Sequence, residues 1–277
     1  MSRPITVGVD GSEGSVAALD WAADEAALSG NGLRLVYATL WGQHQLQAVK
    51  VSHEDRAGDA EGVLAATEQR VRGRRPDLAM TADEVEDAPT NVLLAAASEA
   101  ELLVVGSHGL GSVRGFIVGS VGQEVVAEAT RPVVLVRPGY GEDESGARDR
   151  KVVLGLDVSE VKSELLEFAF GFAGRHGAPL RIVNTWHHPF HHKVATDADM
   201  ASALSSAVRP FRDKYPAVEV SEVSAPGRAA EHLVEAGSEA SLVVVGRRRA
   251  AKGSHIGSVT HAVIHHASCP VAVVPHT

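Results

Sequence analysis

A glycine-rich segment in the first half of the chain has the residue types that bind phosphate groups. Gly106-Ser107-His108-Gly109 follows a short apolar run, and after nine further residues Gly119-Ser120 opens a stretch with helical periodicity. Glycine lets a backbone approach an anion closely, and a helix N-terminus presents unpaired N–H groups with partial positive charge. The spacing G-x-x-G-x9-G-[ST] therefore predicts a phosphate-binding loop. The alternative is a flexible surface loop that ends in a helix cap.

The helix that follows this loop begins with a recognisable pattern. Ser120 is a favoured N-cap residue, and Gln123 follows it at the spacing of an S-x-x-Q capping box. Within the loop, Arg114 could pair with phosphate or remain solvated. His108 is a candidate general base, although the surrounding sequence offers no carboxylate to orient it.

A carboxylate follows the first apolar run of the chain, in Asp10-Gly11-Ser12. At that place Asp10 can reach a ribose hydroxyl or a phosphate-bound Mg²⁺. It can equally be a simple N-cap of the helix that begins near Ser15. The arrangement recurs as Asp157-Val158-Ser159, which fits both interpretations because a cap would recur too.

Short apolar runs alternate with helical stretches in the first half of the chain. The runs are typical of strands buried on both faces, and the alternation predicts an α/β fold with a mostly parallel sheet and helices on both faces. The predicted strands are Ile5–Val9, Leu33–Ala38, Ala79–Val85, Leu102–Val105 and Val133–Val136, and the predicted helices are Ser15–Leu28, Asp59–Arg72, Thr90–Ala100 and Ser120–Ala129. Ligands of such sheets bind at the carboxyl ends of strands, so we expect the chemistry just after Asp10, Ala38 and Val105.

The second half of the chain repeats the first. At an offset of 147 residues Val7-Gly8-Val9-Asp10 falls on Leu154-Gly155-Leu156-Asp157, and at 138 residues Gly119-Ser120-Val121 falls on Gly257-Ser258-Val259. Two copies of well over 100 residues indicate a domain duplication and not a solenoid. We therefore expect one domain over residues 1–138, a linker over 139–150 and a second domain over 151–277.

The composition disfavours several classes of partner. The chain of 277 residues has a formal net charge of −9, whereas nucleic-acid binding needs a basic face. No apolar run approaches the roughly 20 residues that cross a bilayer, and the N-terminus lacks the apolar stretch of a signal peptide. The single cysteine, Cys269, suits a reducing compartment. We therefore expect a cytoplasmic protein with no nucleic-acid or membrane partner.

With these residues in place, the chain resembles the universal stress protein family over both halves. The ATP-binding members of that family carry G-x-x-G-x9-G-[ST], which Gly106, Gly109, Gly119 and Ser120 match. The resemblance implies two tandem doubly wound domains, each a five-stranded parallel sheet in the order 3-2-1-4-5 with helices on both faces. It implies ATP as the ligand, with Mg²⁺ as the expected companion ion, and a nucleotide-dependent role in stress response, dormancy or signalling.

The resemblance also implies roles for individual residues. Ribose and phosphate contacts fall on Asp10, Gly11 and Ser12, adenine contacts on Ala38 and Val105, and phosphate contacts on Gly106, His108, Gly109, Gly119, Ser120 and Val121. Two other functions stay open at this point. One is a slow ATPase or self-phosphorylating enzyme that uses the same loop, and the other is an interaction module that binds no nucleotide.

The second half departs from the glycine pattern. Twelve residues separate Gly106 from Gly119, but only ten separate Gly246 from Gly257, and Arg249 stands in the place of Gly109. A shorter loop with a long side chain predicts about one ATP per chain, with the second half vacant or weaker. The alternative is that the cations around Arg249 hold phosphate by ion pairs.

Two further features of the sequence concern contacts. The fifth strands, Val133–Val136 and Val271–Val274, are apolar throughout, and an uncovered apolar edge invites aggregation. We therefore expect them to pair, either between the halves of one chain or between the chains of a homodimer. The histidines within residues 187–192 favour a variable loop over a metal site. His261 and His265, one helical turn apart, favour an interface or partly exposed face over a ligand pair.

Overall fold

Strands and helices alternate in each of two compact units, Met1–Asp143 and Glu144–Thr277. The computed structural model describes residues 2–39, 53–107, 118–140, 150–186, 196–249 and 255–277. In the first unit the elements are β1 (Ile5–Gly8), α1 (Glu13–Ser29), β2 (Leu33–Ala38), α2 (His53–Arg74), β3 (Met80–Val85), α3 (Pro89–Glu99), β4 (Leu102–Gly106), α4 (Ser120–Glu128) and β5 (Val133–Val136).

All neighbouring strands of the first unit are parallel, in the order β3-β2-β1-β4-β5. The chain moves one way from β1 through β3 and then crosses to the other side of β1 to form β4. Because crossover connections are right-handed, this reversal puts α1 and α2 on one face of the sheet and α3 and α4 on the other. The packing agrees, since α1 contacts α2 and α3 contacts α4.

The core of the first unit is aliphatic. All four residues of β1 and of β5 are buried, as the uninterrupted apolar runs predict, whereas every residue of β3 is partly buried or exposed. That exposure is expected of a strand at the edge of a sheet, and it explains why the apolar signal over β3 is weak.

The second unit has the same topology. Its elements are β6 (Lys151–Gly155), α5 (Ser163–His176), β7 (Leu180–Trp186), α6 (Asp197–Lys214), β8 (Val220–Pro226), α7 (Ala229–Gly237), β9 (Ala240–Arg248), α8 (Ser258–His266) and β10 (Val271–His276). The parallel strand order β8-β7-β6-β9-β10 matches that of the first unit. Equivalent residues pair in the two sheets, Gly8 with Val36 and Gly155 with Val183. The predicted fold class is confirmed in both halves.

The two units differ at two places that matter for a ligand. Strand β4 ends at Gly106, but β9 continues to Arg248, which pairs with His276 of β10. Helix α1 begins at Glu13, whose counterpart at an offset of 147 is Glu160, yet α5 begins only at Ser163. Within the described residues, no helix is both long and apolar enough to span a membrane.

Candidate functional site

Asp10 lies where β1 ends, and its carboxylate has a fixed orientation. Its Oδ1 accepts two hydrogen bonds from Ser12, one from the backbone N–H at 3.0 Å and one from the hydroxyl at 2.6 Å. The N-cap of α1 is Ser12, whose Oγ accepts a hydrogen bond from the Ser15 N–H at 3.2 Å. The interpretation of Asp10 as a simple N-cap is therefore wrong, because Ser12 fills that role and also orients Asp10.

The backbone between Asp10 and Ser12 requires glycine. Gly11 has a φ of +78°, in the left-handed region that side chains rarely adopt. A Cβ at this position would also lie 3.2 Å from Cγ2 of Val63, on α2. Gly11 therefore lets the chain turn from β1 into α1 while α2 packs close to the turn.

Two glycines let the first turn of α1 rest directly on the end of β4. A Cβ on Gly106 would lie 2.3 Å from the carbonyl carbon of Gly14, and a Cβ on Gly14 would lie 2.8 Å from the carbonyl oxygen of Ser107. Neither distance is sterically allowed, so both positions must lack a side chain. No motif in the sequence marks Gly14, and its only signal is that a glycine in the first turn of a helix costs stability unless a close approach requires it.

Helix α4 starts without a side-chain cap. Gly119 is its N-cap, with φ −62° and ψ 165°, and Ser120 is the first helical residue. The predicted capping box is wrong, because the Gln123 side chain donates a hydrogen bond to the Val118 carbonyl at 2.8 Å. No side chain of the described residues caps this helix, so the first N–H groups, including that of Val121, are available to an anion.

Ala38 offers its backbone and not its side chain. The side chain is buried in the core with Val36, Val92 and Ala96. Val36 accepts a hydrogen bond from the Val9 N–H, and Thr39 donates to Val85, on the opposite side of β2. Because backbone groups of successive strand residues alternate between the two neighbours, the Ala38 N–H and carbonyl point past the end of β1. A donor and an acceptor without a partner among the described residues suit the edge of a planar base.

Of the other predicted site residues, Val105 is described by the structure, whereas several residues of the glycine-rich loop are not. Val105 is buried at the end of β4, and its Cγ1 would lie 3.7 Å from a Cβ on Gly8. His108, Gly109 and Arg114 lie outside the described residues, as do the histidines of residues 187–192. Within the described part of the chain, no group of three metal-binding side chains occurs.

The second unit keeps the carboxylate turn of the first. The Asp157 Oδ1 accepts hydrogen bonds from the Ser159 N–H at 2.8 Å and from its hydroxyl at 2.6 Å. However, Val161 occupies the position of Gly14, and it is 40 % exposed. Because a side chain there would meet the β9 backbone, as Gly14 shows in the first unit, the first helical turn does not form.

A pocket of about 310 Å³ lies at the carboxyl edge of the second unit, where that turn is absent. Its apolar wall includes Leu165, Val183, Leu233 and Val245. Gly246 borders the pocket, and a Cβ on it would lie 2.9 Å from Cδ2 of Leu165. The pocket therefore occupies the position that corresponds to the predicted nucleotide site of the first unit.

Three charged side chains line one end of this pocket. Glu160 pairs with Lys162 at 3.2 Å and also with Arg248. Hydrogen bonds from Lys162 and then from Arg248 lower the pKa of Glu160 below its ordinary value. Arg248 belongs to the cations around Arg249 that the sequence shows, but its pairing with Glu160, 88 residues earlier, is not visible in the sequence.

Comparisons with known proteins place both units in one family. The model of the universal stress protein family matches residues 1–137 and 149–275. The universal stress protein Rv2005c of Mycobacterium tuberculosis is 31 % identical, over 99 % of this chain and 99 % of its own. The universal stress protein Rv1996 of the same organism is 29 % identical, over 97 % and 94 %.

A solved structure agrees on the fold. A universal stress protein from Archaeoglobus fulgidus DSM 4304 superimposes with a TM-score of 0.79, at 19 % identity, with all of each chain covered. The family match covers nearly the whole chain, and the fold of each unit fits it. The chain therefore belongs to the universal stress protein family, as two tandem copies of the family's domain.

Proposed function

We propose that the chain is an ATP-binding protein whose first unit holds the nucleotide at the carboxyl edge of its sheet. The observation that carries the proposal is the presence of two features at one edge of the sheet. They are the oriented carboxylate of Asp10 and the N-terminus of α4, which has no side-chain cap among the described residues. Both lie at the edge where the strand order reverses between β1 and β4, which is where open α/β sheets bind ligands. Nucleotide occupancy would then set the activity of the protein in stress or dormancy signalling.

Each part of the nucleotide has a matching group in this proposal. The first N–H groups of α4, from Ser120 and Val121, take phosphate oxygens, because a helix N-terminus attracts anions. Asp10 accepts hydrogen bonds from the ribose, and its carboxylate is also of the kind that Mg²⁺ takes alongside phosphates. The backbone N–H and carbonyl of Ala38 meet the edge of adenine.

The residues of the glycine-rich loop complete the proposal by their sequence. Gly109 and His108 lie between Gly106 and Gly119, at the spacing found in ATP-binding members of the family. Gly106 also has a structural role, because the backbone of Gly14 packs directly against it. A Gly106 variant that failed to bind ATP could have lost either the binding site or the fold. The test must therefore use another position.

Gly119→Asp separates binding from stability. The N-cap conformation of Gly119 is open to any residue, and aspartate is a favoured N-cap. Its carboxylate would accept the free N–H groups of α4 and repel phosphate, so we expect loss of ATP binding with an unchanged or higher melting temperature. Isothermal titration of nucleotide-stripped protein with ATP and Mg²⁺ measures the binding.

The second unit supplies a matched control for this substitution. Gly257 is the N-cap of α8 at the equivalent position, and a Cβ on it meets nothing within 4 Å. Gly257→Asp should leave ATP binding to the first unit unchanged. If Gly119→Asp protein binds ATP with the affinity of the original protein, the site is assigned to the wrong place.

A further inference from the structure

The pocket of the second unit differs in chemistry from the site of the first. It keeps the carboxylate turn of Asp157, but its charged end already contains two cations and a carboxylate held together, Lys162, Arg248 and Glu160. With Asp157, the formal charges of the pocket lining sum to zero. Among the described residues that line the pocket, an entering ligand therefore meets no uncompensated positive charge.

A phosphate would gain little from these cations. Arg248 and Lys162 are each already paired with Glu160, so a phosphate that approaches either cation also approaches this carboxylate. Glu160 and Asp157 would both lie near the phosphate and repel it. Charge compensation within the protein therefore removes the advantage that a phosphate has at the first site.

The backbone of the second unit is also less suited to phosphate. Strand β9 continues two residues beyond the position where β4 ends, and Arg249 donates its N–H to the His276 carbonyl at 2.8 Å. At the start of α8, Thr260 stands where the first unit has Gly122, and its hydroxyl donates to the Gly246 carbonyl at 2.7 Å. The Arg249 N–H and the Thr260 hydroxyl are therefore committed to the protein's own structure. Within the described part of the chain, the first turn of α8 lacks a side-chain cap, as α4 does, so the selectivity of the pocket must come from its charged side chains.

The rest of the pocket suits a compact, uncharged molecule. Its volume of about 310 Å³ is near the lower end of the range for ligand sites. Apolar side chains form the larger part of the lining, and Val259, 36 % exposed, lies at the pocket on α8. Asp157 and Thr185 add polar groups at the edge of this surface, and these could accept or donate hydrogen bonds to a ligand.

We propose that the second unit binds a small uncharged molecule of nucleoside size, and that Glu160 keeps phosphorylated ligands out. The flat, largely apolar body of the ligand would lie between Leu165 and Leu233, with its polar groups towards Asp157. The proposal rests on the proposed function of the first unit only for the choice of adenosine as a probe. The first unit would then bind a phosphorylated nucleotide, and the second unit would bind a related molecule without phosphate.

The test uses a signal that belongs to the second unit alone. In two-dimensional NMR spectra of the full chain, adenosine should shift the backbone amide signals of Thr185, Gly246 and Thr260, and AMP should require at least tenfold higher concentration for the same shifts. Because these amides lie in the second unit, the result does not depend on whether the first unit binds ATP. Adenosine that leaves these signals in place would overturn the proposal, as would AMP that is bound equally well.

Three variants assign the selectivity to its residue. Glu160→Gln should raise the affinity of the second unit for AMP at least tenfold and change that for adenosine by less than about twofold, because Lys162 and Arg248 lose their counter-ion. Glu164→Gln removes the same charge from the first turn of α5, outside the pocket lining, and should change neither. Val259→Trp, on an exposed side chain, should block adenosine. Unchanged AMP binding in Glu160→Gln protein would show that Glu160 is not the barrier.

Discussion

Gly14 and Gly106 bring two backbones closer together than any side chain would permit. This contact fixes the first turn of α1 against the end of β4, and so it fixes the position of Asp10 relative to the start of the predicted phosphate-binding loop. The second unit shows the effect of losing it. With Val161 in place of Gly14, the turn is absent and a pocket takes its place.

Gly14→Ala tests this contact through stability. The added Cβ would meet the Ser107 carbonyl oxygen at 2.8 Å, and the strain should lower the free energy of unfolding by about 1–3 kcal/mol. Urea denaturation followed by circular dichroism measures the loss. Gly73→Ala is the control, because a Cβ there meets nothing within 4 Å and alanine favours the helix by up to about 1 kcal/mol. Equal stability of the two variants would contradict the packing argument.

The residue scale also shows which parts of the site the sequence could not predict. The spacing of Gly106 and Gly119 predicts a phosphate-binding loop, but a capping pattern does not say which residue adopts the cap conformation. Gly119 has the extended conformation of an N-cap, so Ser120 is the first residue of the helix and not its cap. Similarly, Glu160 pairs with Arg248 across 88 residues of sequence, and only the folded chain brings such groups together.

At the scale of elements, α2 is held on α1 by two arginine–aspartate pairs. Arg70 donates from Nε and Nη2 to Asp20, each at 2.6 Å, and Arg74 binds Asp24 in the same two-point way. The Asp20 side chain is only 7 % exposed. Because Val63 of α2 lies beside Gly11, these pairs also fix the packing at the carboxylate turn.

Arg70→Met should destabilise the protein by about 1–3 kcal/mol, because it leaves the buried Asp20 carboxylate without a partner. The double variant Arg70→Met/Asp20→Asn should recover part of that loss, since the buried charge is then gone. Arg72→Met is the control and should change stability by less than about 0.5 kcal/mol, because Arg72 makes only an exposed pair with Glu68. Thermal and urea unfolding of the four proteins give the comparison, and a loss at Arg72 as large as at Arg70 would contradict it.

Tyr140, which lies near Asp24, should make the stability of the protein depend on pH. Burial, followed by the charge of Asp24, raises the pKa of Tyr140 to about 12, against about 10 in the unfolded chain. Below pH 10 both states keep the proton. Between pH 10 and 12 the unfolded chain loses it first, so this tyrosine should reduce stability by about 2–3 kcal/mol over that range.

Tyr140→Phe isolates the effect of this one phenol. The stability of the original protein should fall more steeply than that of the variant between pH 10 and 12, and the two curves should run parallel below pH 10. Absorbance of tyrosinate near 295 nm, recorded on the folded proteins, should show one late transition that the variant lacks. Parallel curves over the whole range would mean that Tyr140 ionises as an exposed tyrosine does.

Elements were predicted better where a sheet is buried than where it is exposed. The strands Leu33–Ala38 and Val133–Val136 agree with their apolar runs to the residue, because both faces of these strands are covered. Helix α1 starts two residues before the predicted Ser15. Gly14 argues against a helix by propensity, and only its contact with Gly106 explains why the helix includes it.

At the scale of the whole molecule, the two units share a fold, but we do not expect both of them to bind ATP. We expect one ATP per chain, because only the first half has the full glycine spacing, and in the second half Glu160 already pairs with Lys162 and Arg248. Equilibrium titration of nucleotide-stripped protein with ATP and Mg²⁺ gives the stoichiometry, and Gly119→Asp should reduce it to zero. Two equivalent ATP molecules per chain would contradict the different roles assigned to the units.

The difference between Gly14 and Val161 has a consequence for any attempt to convert the second unit into a copy of the first. Glycine at position 161 would permit the additional helical turn, but Lys162 would still stand in place of Ser15, and β9 would still extend to Arg248. No single substitution therefore gives the second unit the carboxyl edge of the first. Exchanging the ligand preferences of the two units would require several residues to change together.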